Sequence, residues 1–245
     1  MSWYMVDEAN DGKAGGDGGL EVFILKAKAP DMSELDAAYD GIRSAAVELF
    51  NKDRIQGYAV RKYKTDKVID CDNLYDSGKT WLDNHGFNSR GSYLWVTNCG
   101  VGGGRPGVAS SPADGDAWNN KRRQAFVAAD DNQIENNFKL SVLAIQEAFH
   151  PLIAQGCELV CRKFGSDGNE HELGQAHFEN GRQRHTPMTM TYAYYANNGN
   201  CDNGNNDPDG VTRGLSICTE DAMKSSWRHA NGYHSHDSNC PHNSD

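Results

Sequence analysis

The chain lacks several features that would steer its reading elsewhere. No apolar run approaches the roughly 18 residues that a membrane-crossing helix requires, so no membrane partner is expected. There is no excess of positive charge either: 24 Lys and Arg stand against 34 Asp and Glu, a net charge of −10. Nucleic-acid readers need a basic face to replace the counterions of the phosphates, which sets that class of partner aside. Asn-x-Ser/Thr acceptors for N-glycosylation are missing. The first residues show no basic flank followed by an apolar stretch, so any leader peptide is expected to be absent already.

What is present suits a globular protein. Among 245 residues, 38% are apolar and 9% aromatic, enough to build a core for one large domain or two small ones. Seven cysteines stand at 71, 99, 157, 161, 201, 218 and 240, with neither CxxC pairs nor the spacing of a four-cysteine zinc site. Disulfides are then the main reading, and with them a secreted, extracellular location. Cys201 and Cys218 bracket a polar Asn/Gly/Asp stretch and form the first expected pair. Cys71 with Cys99 is the second. Cys157 and Cys161 either join each other or pair elsewhere, and the competing reading is that several of the seven are small buried hydrophobes.

Along the chain, residues 1–19 are rich in glycine and short polar side chains and read as a flexible lead-in. Residues 20–28 and 92–97 are apolar and β-branched or aromatic and predict strands, as do the shorter runs 55–63, 67–70 and 125–129. Asp31 and Glu34 have the spacing of a capping box. Behind them Leu35, Ala38, Tyr39, Ile42, Ala46, Leu49 and Phe50 recur at helical intervals, predicting a helix over 33–51. Residues 98–117 form a long Gly/Pro/Ser loop that reads as the rim of a cleft. Its glycines are followed by no Gly-Lys-Ser/Thr and open no GxGxxG helix, so nucleotide binding is not expected. The strongest periodicity runs over 131–155, where Ile134, Phe138, Val142, Ile145, Phe149 and Leu152 form an apolar stripe that Pro151 should stop or kink. Beyond residue 163 periodicity fails, and an irregular part pinned by disulfides is expected. The pattern divides the chain into the lead-in, an α/β (α+β) subdomain over 20–162, a loop-rich part over 163–228 and a His-rich tail over 229–245.

One constellation carries chemistry. Gln146-Glu147-Ala148-Phe149-His150 lies on the long predicted helix and is HExxH with Gln at its first position. On a helix, residues i and i+4 share one face, so two imidazoles can meet one metal while the intervening Glu acts as base. Glu170-His171-Glu172-Leu173-Gly174 follows, then His177, and then Thr186-Pro187-Met188 ahead of Tyr192, Tyr194 and Tyr195. This order over residues 20–195 resembles the metzincin clan of zinc peptidases, with the long separation of His150 and His171 resembling the leishmanolysin type. The resemblance implies a zincin-like N-terminal subdomain with a small mixed sheet and a long motif helix. It further implies Glu147 as general base, His150 and His171 as zinc ligands, Gln146 as a degenerate ligand position, and Met188 in the Met-turn.

Each residue also has a plainer role open to it. His150 could cap the helix end, His171 and His177 could be surface loop residues, and Met188 could fill core. His177 or His185 could displace His171 as third ligand. Outside this constellation, His229, His234, His236 and His242 in the tail could gather metal adventitiously, or simply be solvated. The acidic run Asp202–Asp209 suits calcium in donor type but lacks EF-hand spacing. Two functions follow: zinc-dependent cleavage of a peptide or protein substrate, impaired by Gln146, or a non-catalytic extracellular binding or structural protein on the same fold. A third reading has Gln146 as an inactivating change in an active peptidase.

Overall fold

The fold was taken from a computed structural model, which describes residues 2–13, 19–100, 106–109, 118, 121–130, 134, 136–153, 170–174, 176–179, 182–188, 201 and 211–230. Its elements are β1 (Trp3–Gly12), β2 (Gly19–Lys26), α1 (Met32–Asn51), β3 (Gly57–Thr65), α2 (Leu74–Asn84), β4 (Gly91–Thr97), β5 (Gly107–Ala109), β6 (Arg122–Ala128), α3 (Asn137–Phe149), β7 (Ala176–Glu179), β8 (Arg182–His185) and α4 (Ile217–Ala230). The architecture is mixed α/β. A six-stranded sheet runs in the order β1-β3-β2-β4-β6-β5, and β7 and β8 form a separate hairpin. β3, β2, β4 and β6 are mutually parallel, while the edge strands β1 and β5 are antiparallel.

The parallel strands are apolar on both faces because helices cover both. Alternate residues of each strand serve different cores. Leu20, Val22, Ile24, Leu94, Val96, Ala125 and Val127 join α1 and α3, while Phe23, Leu25, Tyr93, Trp95 and Phe126 join Trp81 and Leu82 of α2. β2 and β4 are buried along their whole length. The first core extends from Leu20 to Trp227 and takes in both Met223 and Trp227 of α4.

α1 begins at the expected capping box: the Asp31 side chain accepts from the Glu34 backbone, and Glu34 Oε2 accepts from Asp31 N–H. It crosses α3 at Gly41. A Cβ built there would lie 2.5 Å from Ser141 O, so only a bare Cα permits this approach. Gly41→Val should therefore cost stability on the scale of overpacked cores, about 1–3 kcal/mol, read as a lower midpoint in urea.

The structure corrects several expectations. The lead-in is not flexible over its first part, for Trp3–Gly12 is a strand on β3. An edge strand needs only one partner and tolerates polar residues. Trp3 anchors this one, with its ring 4.9 Å from Phe87 and 5.9 Å from Tyr63. Residues 67–70 form no strand; Lys28 N–H bonds Lys67 O there, without a ladder. Helix α2 was not foreseen, although Leu74, Gly78, Trp81 and Leu82 have helical spacing and form its buried side. Within the glycine-rich stretch, Gly107–Ala109 is a short strand on β6. The motif helix is shorter than predicted. It starts at Asn137 because Asn136 caps it, Oδ1 accepting from Lys139 N–H at 3.0 Å. It ends at Phe149, and a 3₁₀ turn, His150–Leu152, accommodates Pro151.

The region expected to be irregular contains α4. Its buried residues include Thr219, Glu220 and Ser226 beside Ala222, Met223 and Trp227, so the stripe is partly polar and hydrophobic periodicity missed it. Both expected disulfides are present: Cys71–Cys99, with Cα atoms 5.2 Å apart, and Cys201–Cys218, at 5.7 Å. Cys157, Cys161, Cys240, the run Asp202–Asp209, Tyr192, Tyr194, Tyr195 and the tail histidines His234, His236 and His242 lie outside the described residues. Among the described residues no helix is long and apolar enough to cross a membrane.

Candidate functional site

α3 brings the motif to the interior. From Leu140 to Phe149 every residue is buried, including Gln146 at 1% and Glu147 at 4% exposure, and His150 follows at 7%. A carboxylate and an imidazole so placed on an otherwise apolar helix cost desolvation, which structural need alone rarely justifies. The helix end is held from within the same core. Trp118, just ahead of β6, donates from Nε1 to Leu152 O at 2.7 Å and fixes the turn that carries His150.

Glu147 lies against β5. A Cβ built on Gly107 would fall 2.6 Å from Glu147 Oε1 and 2.7 Å from its Cγ. The carboxylate is also felt by Tyr75 of α2: burial first, and then the negative charge of Glu147, push that phenol well above its ordinary range. Gly107→Ala should displace the Glu147 side chain. We expect a cost of about 1–3 kcal/mol by overpacking, measured by denaturation, and an altered environment of the Tyr75 ring, seen in its absorbance titration.

His171 comes to His150 from 21 residues further along the chain. It lies in a 3₁₀ turn, Glu170–Leu173, and its ring centroid is 4.9 Å from that of His150 at an interplanar angle of 71°. The sequence offered no spacing rule for this meeting beyond the resemblance. Two imidazoles bound to one ion at roughly 2.1 Å in tetrahedral geometry have centroids roughly 5 Å apart, and an edge-to-face ring contact has the same separation, so the distance is compatible with either. The donor set is nevertheless thin. Among the described residues no group of three His, Cys, Asp or Glu side chains gathers closely enough to hold a metal ion. A neutral amide at 146 on the same helix face is the remaining candidate donor.

The other expected residues are distributed as follows. His177 lies in β7, opposite Arg184 of β8, and its side chain is outside the described residues. His185 ends β8, buried at 6% exposure, where desolvation holds its pKa below the ordinary value. Its carbonyl accepts from Thr212 N–H at 2.8 Å. Met188 is fully buried in the first core, the same core as Phe149, Leu152 and Leu173. His229 lies within α4, and its side chain is outside the described residues.

Sequence reasoning missed Gly107, Trp118 and Tyr75. The glycine-rich stretch was a visible signal for the first. No local pattern marks the other two, whose interactions are with residues distant in the sequence.

No family model matches the chain, and no curated protein matches it.

Proposed function

We propose that this is a secreted, zincin-like protein that binds an extended peptide beside a weak divalent-metal site, with peptide hydrolysis impaired by Gln146. The observation that carries the reading is the meeting of the His150 and His171 rings, centroids 4.9 Å apart, at the end of a buried helix that also holds Glu147. The order of elements supports it as well: strand, helix and parallel strands precede the motif helix, as the metzincin resemblance implies. The two disulfides support an oxidising, extracellular setting.

The chain's own groups divide the work. Among the described residues β5 is the last strand of the sheet, and its outer edge would offer backbone N–H and C=O groups to a peptide added as a further strand. Such a peptide would run past Gly107 and so past the Glu147 carboxylate. Glu147 would accept a proton from a water there. His150 and His171 would hold zinc, with Gln146 as a poor third donor. When bound, such an ion supplies the positive charge that polarises a carbonyl. Two imidazoles and an amide hold zinc far less firmly than three imidazoles, because the amide oxygen is the weaker donor.

The test is titration with zinc followed by calorimetry, alongside digestion of a mixed peptide library with and without chelator. We expect weak zinc binding that His150→Gln and His171→Gln each abolish, and little or no cleavage. Zinc binding unchanged in both variants, or no binding at all, would overturn the metal site. Vigorous cleavage indifferent to chelator would overturn the class of chemistry.

A further inference from the structure

We propose that Ser216 is a positioning residue for His171, and that the cap of the C-terminal helix thereby sets the separation of the two imidazoles. The inference rests on the reading above only where it treats the pair as a metal site; the geometry it invokes is independent of any ion.

Ser216 is fully buried and precedes α4. Its Oγ accepts from Thr219 N–H at 3.0 Å, the bond of a helix N-cap to its third residue. The same hydroxyl donates its proton to Leu173 O, a carbonyl two residues from His171. Thr219 Oγ1 lies 2.9 Å from Ser216 Oγ and 3.3 Å from Leu173 O, so it backs the same contact. An N-cap is satisfied once it accepts from the helix, and the donated bond to a distant buried turn is a second task.

The turn is held on its other side too. Gly174 N–H bonds His171 O at 3.1 Å, and Cys201 N–H bonds Gly174 O at 3.3 Å. Cys201 is joined covalently to Cys218, in the first turn of α4. α4 in turn is fixed to α1: Glu220, 2% exposed, takes Lys52 Nζ on one carboxylate oxygen and Arg54 Nε, at 3.4 Å, on the other. α1 packs on α3 at Gly41 and Ser141, and α3 leads into His150. Thus a closed circuit connects the rings: His150, α3, α1, α4, Ser216, Leu173, His171. Ser216 is the point at which this circuit grips the turn.

The test compares Ser216→Ala, which removes the donor, with Ser216→Thr, which keeps it. The first readout is the nuclear Overhauser contact between the His150 and His171 ring protons, in metal-free protein with labelled histidine. It should be present in the parent and in Ser216→Thr and lost in Ser216→Ala. The second is zinc affinity, which should fall by about 10–100-fold in Ser216→Ala, the range typical of groups that orient a metal ligand. Leu82→Ala, in the core on the far face of the sheet, should lower the melting temperature while leaving both readouts intact. If Ser216→Ala does not fold, Thr219→Val removes the backing donor and should weaken the same ring contact. A ring contact undiminished in whichever variant folds, or absent from the parent, overturns the proposal. A parent that shows the contact and its loss in the variant, yet binds no zinc, upholds the positioning role and sinks the metal reading alone.

Discussion

Gln146→His should convert the weak site into a three-imidazole one. Gln146 is in the last turn of α3 and His150 is its C-cap, whose N–H bonds Gln146 O, so the two keep the i, i+4 spacing at which side chains meet one ligand. Both are buried on the helix that carries Glu147, and His171 already lies beside His150. Zinc affinity should rise by two orders of magnitude or more; each tenfold is about 1.4 kcal/mol, so the gain is about 3 kcal/mol. Because the ion binds only the native state, the melting temperature in excess zinc should rise with its concentration. Chelator-sensitive peptide cleavage should emerge, and Glu147→Ala in that background should remove the cleavage while keeping the ion. A Gln146→His protein that binds no more zinc than its parent would show that the two positions do not face one cleft, and the zincin reading would end there.

The second large effect is one of stability. Glu220 is almost wholly buried and is answered by Lys52 and Arg54, which are 47% and 21% exposed. Removing both cations leaves the carboxylate in the interior without a countercharge. Lys52→Ala with Arg54→Ala should therefore cost about 3–5 kcal/mol, as breaking a buried pair from one side does. Adding Glu220→Leu to that double variant should recover much of the loss, since an apolar residue of similar volume has no charge to desolvate. Urea midpoints of the double and triple variants decide this. Equal midpoints would mean that Glu220 reaches solvent by another route.

The parts of this fold that were legible are those whose apolar content is both high and periodic. β2 and β4 could be read because residues buried on both faces leave an unbroken apolar run, and α1 because Leu35, Ile42, Ala46 and Leu49 fall on one stripe. Both disulfides were found from position alone. β1 escaped because its last residues are polar and its single partner, β3, lies 45 residues away at Gly12–Gly57 and 62 at Trp3–Thr65. α4 escaped because it buries Thr219, Glu220 and Ser226, residues that a periodicity count scores as surface. The site shows the same division. Glu147 and His150 are one helical step apart and can be seen in the sequence, whereas Gly107, Trp118 and Ser216 act through contacts that only the sheet and the C-terminal cap create.

The clasp between α1 and α4 also bears on how the molecule is made. Glu220 meets Lys52 across 168 positions and Arg54 across 166. Closing so long an intervening chain is entropically slow, and contacts of this range delay folding. During synthesis, α1 and its strands emerge long before the helix that completes their core, and synthesis at about 5–20 residues per second leaves that face bare for many seconds. Until then the part of the first core that Met223 and Trp227 of α4 complete stays open. A helper that shields apolar surface on nascent chains has its natural target there, and the need for it lapses only when α4 arrives.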